Sequence, residues 1–235
     1  MTEPRWLPSA EVVAAANLTA AIAERELAGY DDFYTWSATD RVGFWGYTID
    51  RLGIVLRSRA RAILEGTESR PEWLPGAQLN IAESCFQADP DSVAVRYRRD
   101  EEIIDLSYGS LRKEANRFAN GLTAIGIGPG DKVAIAMPMN VESVIAYLGV
   151  VLCGAVVVSI ADSFAPAEIS TRLRIAAVDL VVTQDVVVRS GRTLPMYEKV
   201  VAGGAKRAVV RQTGADLQLR PTDLPWTEAV ADDTV

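Results

Sequence analysis

Residues 132–161, KVAIAMPMNVESVIAYLGVVLCGAVVVSIA, constrain the fold more than any other stretch of the chain. Val133 to Met137 is a short apolar run, and Pro138 stops it because proline has no N–H to continue a central ladder. Asn140 can cap a helix from Val141 to about Leu152, with Glu142 in the first turn, where the helix dipole favours a negative charge. Gly154 ends that helix. The β-branched run from Ala155 to Ile160 predicts a strand covered on both faces. Strand, helix and strand form one βαβ unit, which implies a parallel sheet with a right-handed crossover. The fold class expected is therefore α/β: a layered parallel or mixed sheet flanked by helices, with a mainly helical N-terminal extension.

A membrane helix is the rival reading of the same stretch. Val144 to Ala161 carries no charge and reaches the roughly 18 residues that such a helix needs. Gly149 and Gly154 interrupt it, Val156 to Val158 prefers a strand, and the flanking charges are Glu142 and Asp162 rather than basic anchors. Buried core is the expectation, with no membrane span.

At 235 residues the chain can form one large domain or two small ones. The net charge of −7 argues against general nucleic-acid binding. The absence of histidine removes Ser-His triads, His metal sites and His general bases together, and no metal site is expected. Cys85 and Cys153 sit in apolar sequence and read as buried, reduced thiols of a cytoplasmic protein. The opening MTEPRWLPSAE lacks the charged and apolar regions of a signal peptide.

Along the chain, Ser9 is placed to cap one helix running toward Ala28, with Gly29 ending it. Tyr30 to Tyr47 concentrates aromatic residues, and Phe33/Trp36 and Phe44/Tyr47 stand three apart. A small aromatic core between short helices is expected, with a docking surface as the alternative. Arg57, Arg59 and Arg61 read as the solvated face of a helix. Glu65 to Pro75 reads as a linker, which divides a helical region, 1–75, from an α/β region, 76–235. Asn80 and Glu83 resemble a capping box opening a short helix through Phe86. Val93 to Tyr97 and Ile103 to Leu106 alternate as a hairpin, turned by the charged segment 98–102.

From Ser107 the period becomes helical. Leu111, Ala115, Phe118, Ala119, Leu122 and Ile125 form one apolar stripe. The glycines of Gly126-Ile-Gly128-Pro-Gly130 invite a phosphate-loop reading. They fall between a helix and the strand after it, the reverse of the order in phosphate loops, and so read as a C-cap and turn. Pro166 opens a further helix with Ile169 and Leu173 inward. Asp179 to Thr183 is a strand, and Val186 to Val188 is a strand end opening into a Gly191 loop. Arg207 to Val210 and Leu217 to Leu219 are expected as strands, and Trp226 to Val235 as a frayed acidic end.

These segments resemble, in order, the N-terminal portion of the AMP-forming acyl-CoA synthetases of the adenylate-forming superfamily, acetyl-CoA synthetase type. The resemblance rests on Trp36-Ser37 with Phe44-Trp45, on Trp73-Leu-Pro-Gly-Ala-Gln-Leu-Asn80-Ile, and on Leu106-Ser-Tyr108-Gly-Ser-Leu111. It continues through Gly130-Asp131-Lys-Val-Ala-Ile135, Met137-Pro138-Met139, Gly154-Ala155-Val156 and Arg189-Ser-Gly191-Arg192. It implies that the parent enzyme uses ATP, Mg²⁺ and CoA. A carboxylate attacks the α-phosphate of ATP, and the CoA thiol then displaces AMP from the acyl-adenylate. The family's phosphate-gripping Ser/Thr/Gly loop, its ribose-binding Asp and its C-terminal lysine have no counterpart here. The resemblance therefore implies a fragment that is inert alone, contributing scaffold and part of the CoA site, with the remaining C-terminal portion of the synthetase as partner.

No catalytic residue is expected in this chain. The resemblance puts the CoA phosphate at Arg189 and Arg192, a spacing at which two guanidinium groups can share one phosphate. It puts Ala161, Asp162 and Ser163 near CoA, where acetyl-CoA synthetases carry a glycine pair and where Asp162 is expected to repel phosphate. No cofactor is expected to bind this chain tightly, and CoA only weakly. Ser110 stands in place of the motif's Glu. A free-standing interaction or regulatory module on the same scaffold is the alternative. A different enzyme reusing the fold is disfavoured by the lack of any nucleophile–base pair.

Overall fold

The structure, a computed structural model, describes residues 6–99, 101–214 and 217–230. Residues 1–5 of the leader reading, Asp100 in the 98–102 turn, and 231–235 of the acidic end lie outside the described residues. The chain divides into two compact units, Met1–Leu79 and Asn80–Val235.

The first unit opens with α1 (Ala10–Ala14) and α2 (Asn17–Glu24). The single helix expected from Ser9 to Ala28 is thus two. Ser9 does cap the first, its Oγ accepting from Val12 N. Ala16 then turns extended, and the Thr19 hydroxyl donates to the Val13 carbonyl that the break leaves behind, at 2.6 Å. Glu26, with φ of 54°, ends α2 before Gly29 is reached, and Gly29 instead precedes α3 (Tyr30–Thr39). Asp40 caps α4 (Arg41–Arg51) by accepting from Gly43 N at 2.9 Å, and its other oxygen takes the Trp36 indole N–H at 3.2 Å.

The aromatic residues of α3 and α4 meet edge to face. Trp36 lies 5.4 Å from Phe44 and 5.6 Å from Tyr47, and Phe33 lies 5.7 Å from Trp36. They form a cluster, but neither α3 nor α4 has a buried residue, so it is not the enclosed core expected. Trp45 is 43% exposed and touches Phe44 and Trp73 by its edges. Trp45→Ala is therefore expected to cost about 1–2 kcal/mol, for two edge contacts and partial burial. Urea unfolding checks this; a loss above about 3 kcal/mol would mean the ring is fully enclosed.

Two further expectations fail in this unit. The 65–75 segment is not a linker: β1 (Leu64–Thr67) and β2 (Arg70–Trp73) form an antiparallel hairpin. Gly66 makes it possible, with φ of 83° and a backbone so close that a Cβ would lie 2.3 Å from Arg70 O. Residues 57–61 are not helical. Their backbone bonds to 75–78, Arg57 N to Gln78 O at 2.7 Å and Arg61 N to Pro75 O at 3.0 Å. The Arg61 guanidinium pairs with Glu65 at 2.8 Å. Charge alternation is shared by helix faces and extended segments, and backbone partners more than ten residues away decided the case.

The second unit begins at α5 (Ile81–Ser84). Asn80 caps it through Ala82 N, one residue short of the capping-box position, and the helix stops before Phe86. The hairpin β3 (Val93–Arg99) and β4 (Glu102–Ser107) is antiparallel as expected. Then follow α6 (Tyr108–Ala124), β5 (Lys132–Ala136), α7 (Val141–Leu152) and β6 (Val156–Ser159). Ser107 Oγ caps α6 through Ser110 N. Gly126, with φ of 86°, closes that helix, and Ile127 N reaches back to Leu122 O. Asn140 and Ser143 form a reciprocal capping box on α7. The Asn80 amide also donates to Val151 O at 2.7 Å, satisfying a carbonyl at the end of α7.

The chain continues through α8 (Pro166–Ala176), β7 (Leu180–Gln184), β8 (Val186–Arg189), β9 (Arg192–Pro195) and α9 (Met196–Ala202). It closes with β10 (Ala208–Arg211), β11 (Leu224–Pro225) and α10 (Trp226–Ala229). Residues 217–219 are not a strand: Leu217 and Leu219 pack on Tyr197, Ala208 and Val210.

Five strands form one parallel sheet in the order β11-β10-β7-β5-β6. One face presents Val133, Ile135, Leu180 and Val182 to the apolar side of α6 and α7, among them Phe118, Leu122, Ile145 and Val150. The other presents Ala134, Ala136 and Val181 to Ile169, Leu173, Met196 and Val200 of α8 and α9. The layered α/β class holds. β6 is the edge strand of the described sheet and is covered only in part: Val157 packs on the α6–α7 side and Val158 on the α8–α9 side, while Val156 is 50% exposed. The chain returns past β5 to lay down β7, so the run of valines reports strand propensity and partial burial here, not a central place in the sheet.

Both thiols are less enclosed than the sequence suggests. Cys85 is exposed and Cys153 half-buried, the latter donating to Val150 O, with its pKa pushed up by burial. Among the described residues no helix is long and apolar enough to cross a membrane.

Candidate functional site

Numbered by appearance, the sheet order is 2-1-3-4-5, with its switch point between β5 and β7. Ligands of open α/β sheets gather at the carboxyl ends of the strands near such a point. Here Asn140, just past β5, bridges the crevice: its amide donates to Gln184 Oε1 at the end of β7, at 2.9 Å. Beside that bridge, at the carboxyl ends of β5 and β6, lies a groove of about 1250 Å³. Its body is apolar, with Met137, Met139, Tyr147 and Leu148, and Ala161, Asp162 and Arg189 line it as well.

The charged part is made by two local structures. After β6 the chain turns through Ala161, Asp162 and Ser163, with Phe164 N bonded to Ala161 O, before entering α8. Opposite stands the β8–β9 hairpin. The sequence predicts a strand end opening into a Gly191 loop. Among the described residues β8 pairs with β9 alone, and the loop is a two-residue turn, Ser190-Gly191, with φ of 49° and 74°. Two consecutive left-handed residues form the tight turn that matches strand twist, and Gly191 adopts its conformation without strain. The hairpin base is fixed to the sheet end, since Met196 N and Tyr197 N both bond to Asp185 O.

Of the five site residues read from sequence, the structure joins Asp162 and Arg189. Asp162 Oδ2 accepts from Arg189 Nη2 at 2.7 Å, with the carboxylate side chain 17% and the guanidinium side chain 53% exposed. Arg192 is the cross-strand partner of Arg189, and such partners project from the same face of a hairpin. It is exposed and makes no ion pair among the described residues. Ala161 is exposed on the groove wall, and Ser163 is exposed in the turn without lining the groove.

Lys199 was not singled out from sequence. Its ammonium donates to the backbone carbonyl of Asp162 from α9. Burial pulls its pKa down, Asp162 opposes that, and Arg189 adds to it. No local signal marks this lysine, because its partner is 37 residues away. The site thus sets Arg189 on the Asp162 carboxylate, Lys199 on the Asp162 backbone carbonyl and Arg192 across the hairpin from Arg189, three cations to one carboxylate near an apolar groove. That arrangement suits a ligand carrying a phosphate on a less polar body.

Residues 82–234 match the family described as AMP-binding enzyme, and residues 30–85 match the acetyl-coenzyme A synthetase N-terminus. A probable acyl-activating enzyme 17, peroxisomal, of Arabidopsis thaliana is 36% identical over 95% of this chain and 34% of its own length. A hexanoyl-CoA synthase of Cannabis sativa is 32% identical over 95% of this chain and 35% of its own. An acetyl-coenzyme A synthetase of Cronobacter sakazakii is 32% identical over 91% of this chain and 36% of its own. The fold is shared with an acetoacetyl-CoA synthetase from Streptomyces lividans, at a TM-score of 0.89 and 24% identity, over 100% of this chain and 39% of that one. The chain spans about a third of the length of the curated relatives it matches.

Proposed function

The chain belongs to the AMP-binding enzyme family, preceded by an acetyl-coenzyme A synthetase N-terminus, and on that basis we propose that it is the front portion of an AMP-forming acyl-CoA synthetase. The whole enzyme joins a carboxylate to CoA at the expense of ATP, releasing AMP and pyrophosphate. This portion supplies an N-terminal region, 1–75, of helices followed by the β1–β2 hairpin, then the first α/β layers, 76–235, and one wall of the CoA site, in a cytoplasmic enzyme. Its partner is the remaining C-terminal portion of the synthetase. The observation that carries the CoA assignment is the cross-strand pairing of Arg189 and Arg192 at the tip of one hairpin, with Arg189 against Asp162 of the Ala161–Ser163 turn.

The binding role follows from charge and shape. Two guanidinium groups on one face offer forked, charge-assisted bonds to a phosphate. The Ala161 backbone, without a bulky side chain, borders the apolar groove where the rest of a CoA molecule would lie. ATP with its Mg²⁺ supplies activation of the carboxylate in the whole enzyme, and no residue of this chain is assigned to that step.

Two results test this. The 235 residues alone are expected to leave pyrophosphate–ATP exchange with acetate, butyrate or longer acids at background; exchange above a heat-killed control overturns it. In the full-length enzyme, Arg189→Ala or Arg192→Ala is expected to raise KM for CoA about tenfold, since a charge-assisted bond contributes roughly 1.5–3 kcal/mol, less where water reaches it. KM for dephospho-CoA should stay unchanged. Both variants keeping the wild-type preference for CoA would leave these arginines as solvated hairpin residues.

A further inference from the structure

Resting on the reading of the Arg189–Arg192 tip as a phosphate site, we propose that Asp162 is a built-in competitor for that phosphate and sets how strongly this chain discriminates a phosphorylated nucleotide. Its carboxylate sits 2.7 Å from Arg189 Nη2, on the group assigned to the ligand. It is not a long side chain that happens to reach over. Asp162 belongs to a turn closed by the Phe164 N to Ala161 O bond, and the Lys199 ammonium donates to the Asp162 backbone carbonyl. The anchored backbone presents the carboxylate to Arg189, and the carboxylate is more enclosed than the guanidinium it faces.

A phosphate reaching Arg189 meets this carboxylate and must displace it or lie against a like charge. Either costs affinity. Arg189, Arg192 and Lys199 still outnumber Asp162, so the site keeps a net attraction for an anion; Asp162 tempers it rather than abolishing it. A ligand lacking the phosphate makes no claim on Arg189 and is indifferent to Asp162. Asp162 is thus a specificity-determining residue: removing its charge raises affinity only for the phosphate-bearing ligand.

The test titrates the ¹⁵N-labelled 235-residue chain with CoA and with dephospho-CoA, followed by amide chemical shifts, which read millimolar affinities. Asp162→Asn keeps size and shape while removing the charge. Freed from an ion pair of the strength seen at partly exposed sites, CoA should bind about fivefold tighter. Dephospho-CoA should not change. Adding Arg189→Ala to Asp162→Asn should erase the gain. If wild type prefers CoA and Arg189→Ala removes that preference, while Asp162→Asn leaves CoA affinity unchanged or weakens it, then Asp162 positions Arg189 instead of competing for it. That result overturns this inference and leaves the phosphate site standing. If no variant distinguishes CoA from dephospho-CoA, the phosphate site and the competitor role fall together.

Discussion

Phe118→Ala is expected to cost about 3–5 kcal/mol, the upper range for emptying an enclosed aromatic site. Phe118 has no exposed surface and lies at the seam of α6 and α7. Its ring stacks on Trp226 at 4.5 Å and 17°, so its loss also removes the partner of an indole from α10. The seam cannot refill the space. Facing the ring is Gly149, where even a Cβ would stand 2.9 Å from Phe118 Cδ1 and 3.0 Å from Ala115 O. Glycine is required there because the helix backbones approach so closely, and it has no side chain to move into the void. Urea unfolding with the slope held common to both proteins measures the loss. A cost under about 1.5 kcal/mol would mean the helices close up and the seam is not rigid.

Asp223→Ala is expected to cost at least about 2 kcal/mol, because it leaves two buried donors, Tyr197 OH and Ala208 N, and the partly exposed Arg220 guanidinium without their acceptor. The Asp223 side chain is fully enclosed. It accepts from Tyr197 OH at 2.7 Å, from Arg220 Nε at 2.7 Å and from Ala208 N at 2.8 Å. Arg220 in turn donates to Ala205 O, so α9, β10 and the segment leading to β11 are tied at one carboxylate. Burial pushes the Asp223 pKa up, but the Arg220 guanidinium, the Tyr197 hydroxyl and the Ala208 N–H outweigh it and hold it below the ordinary 3.8.

A depressed pKa in the folded state means the unfolded chain binds the proton first as pH falls. The contribution is full above the unfolded value and is lost as pH drops through the folded one. Below about pH 4, wild type should therefore lose stability along a slope that Asp223→Asn lacks. Parallel acid profiles for the two proteins would show that Asp223 is not the group responsible.

Where a structural decision depended on residues within one or two helical turns, it was legible in the sequence. The apolar stripe of α6, the Asn140 cap of α7, Pro166 opening α8 and the Gly126 stop all act between neighbours, through side-chain period, capping bonds and backbone conformation. The βαβ unit and the α/β class followed from these. Family membership was legible for a related reason: short motifs in a fixed order survive without knowledge of what they touch. Even the phosphate-loop reading of 126–130 was excluded by order alone, since those glycines follow a helix and precede a strand.

Tertiary structure decided whatever rested on distant partners. The valines of β6 are indistinguishable from those of a central strand until the return of the chain past β5 leaves β6 at the edge. Residues 57–61 read as a helix face until the 75–78 backbone claims their hydrogen bonds. Leu217 and Leu219 read as a strand, but Tyr197 and the Asp223 cluster hold that segment as irregular backbone. At the candidate site, Arg189 and Arg192 were visible as a pair, whereas Asp162 neutralising Arg189, and Lys199 holding Asp162, join residues 27 and 37 positions apart. The energy of such contacts comes from which loops the sheet brings together, and that is a property of the packed layers rather than of any local stretch.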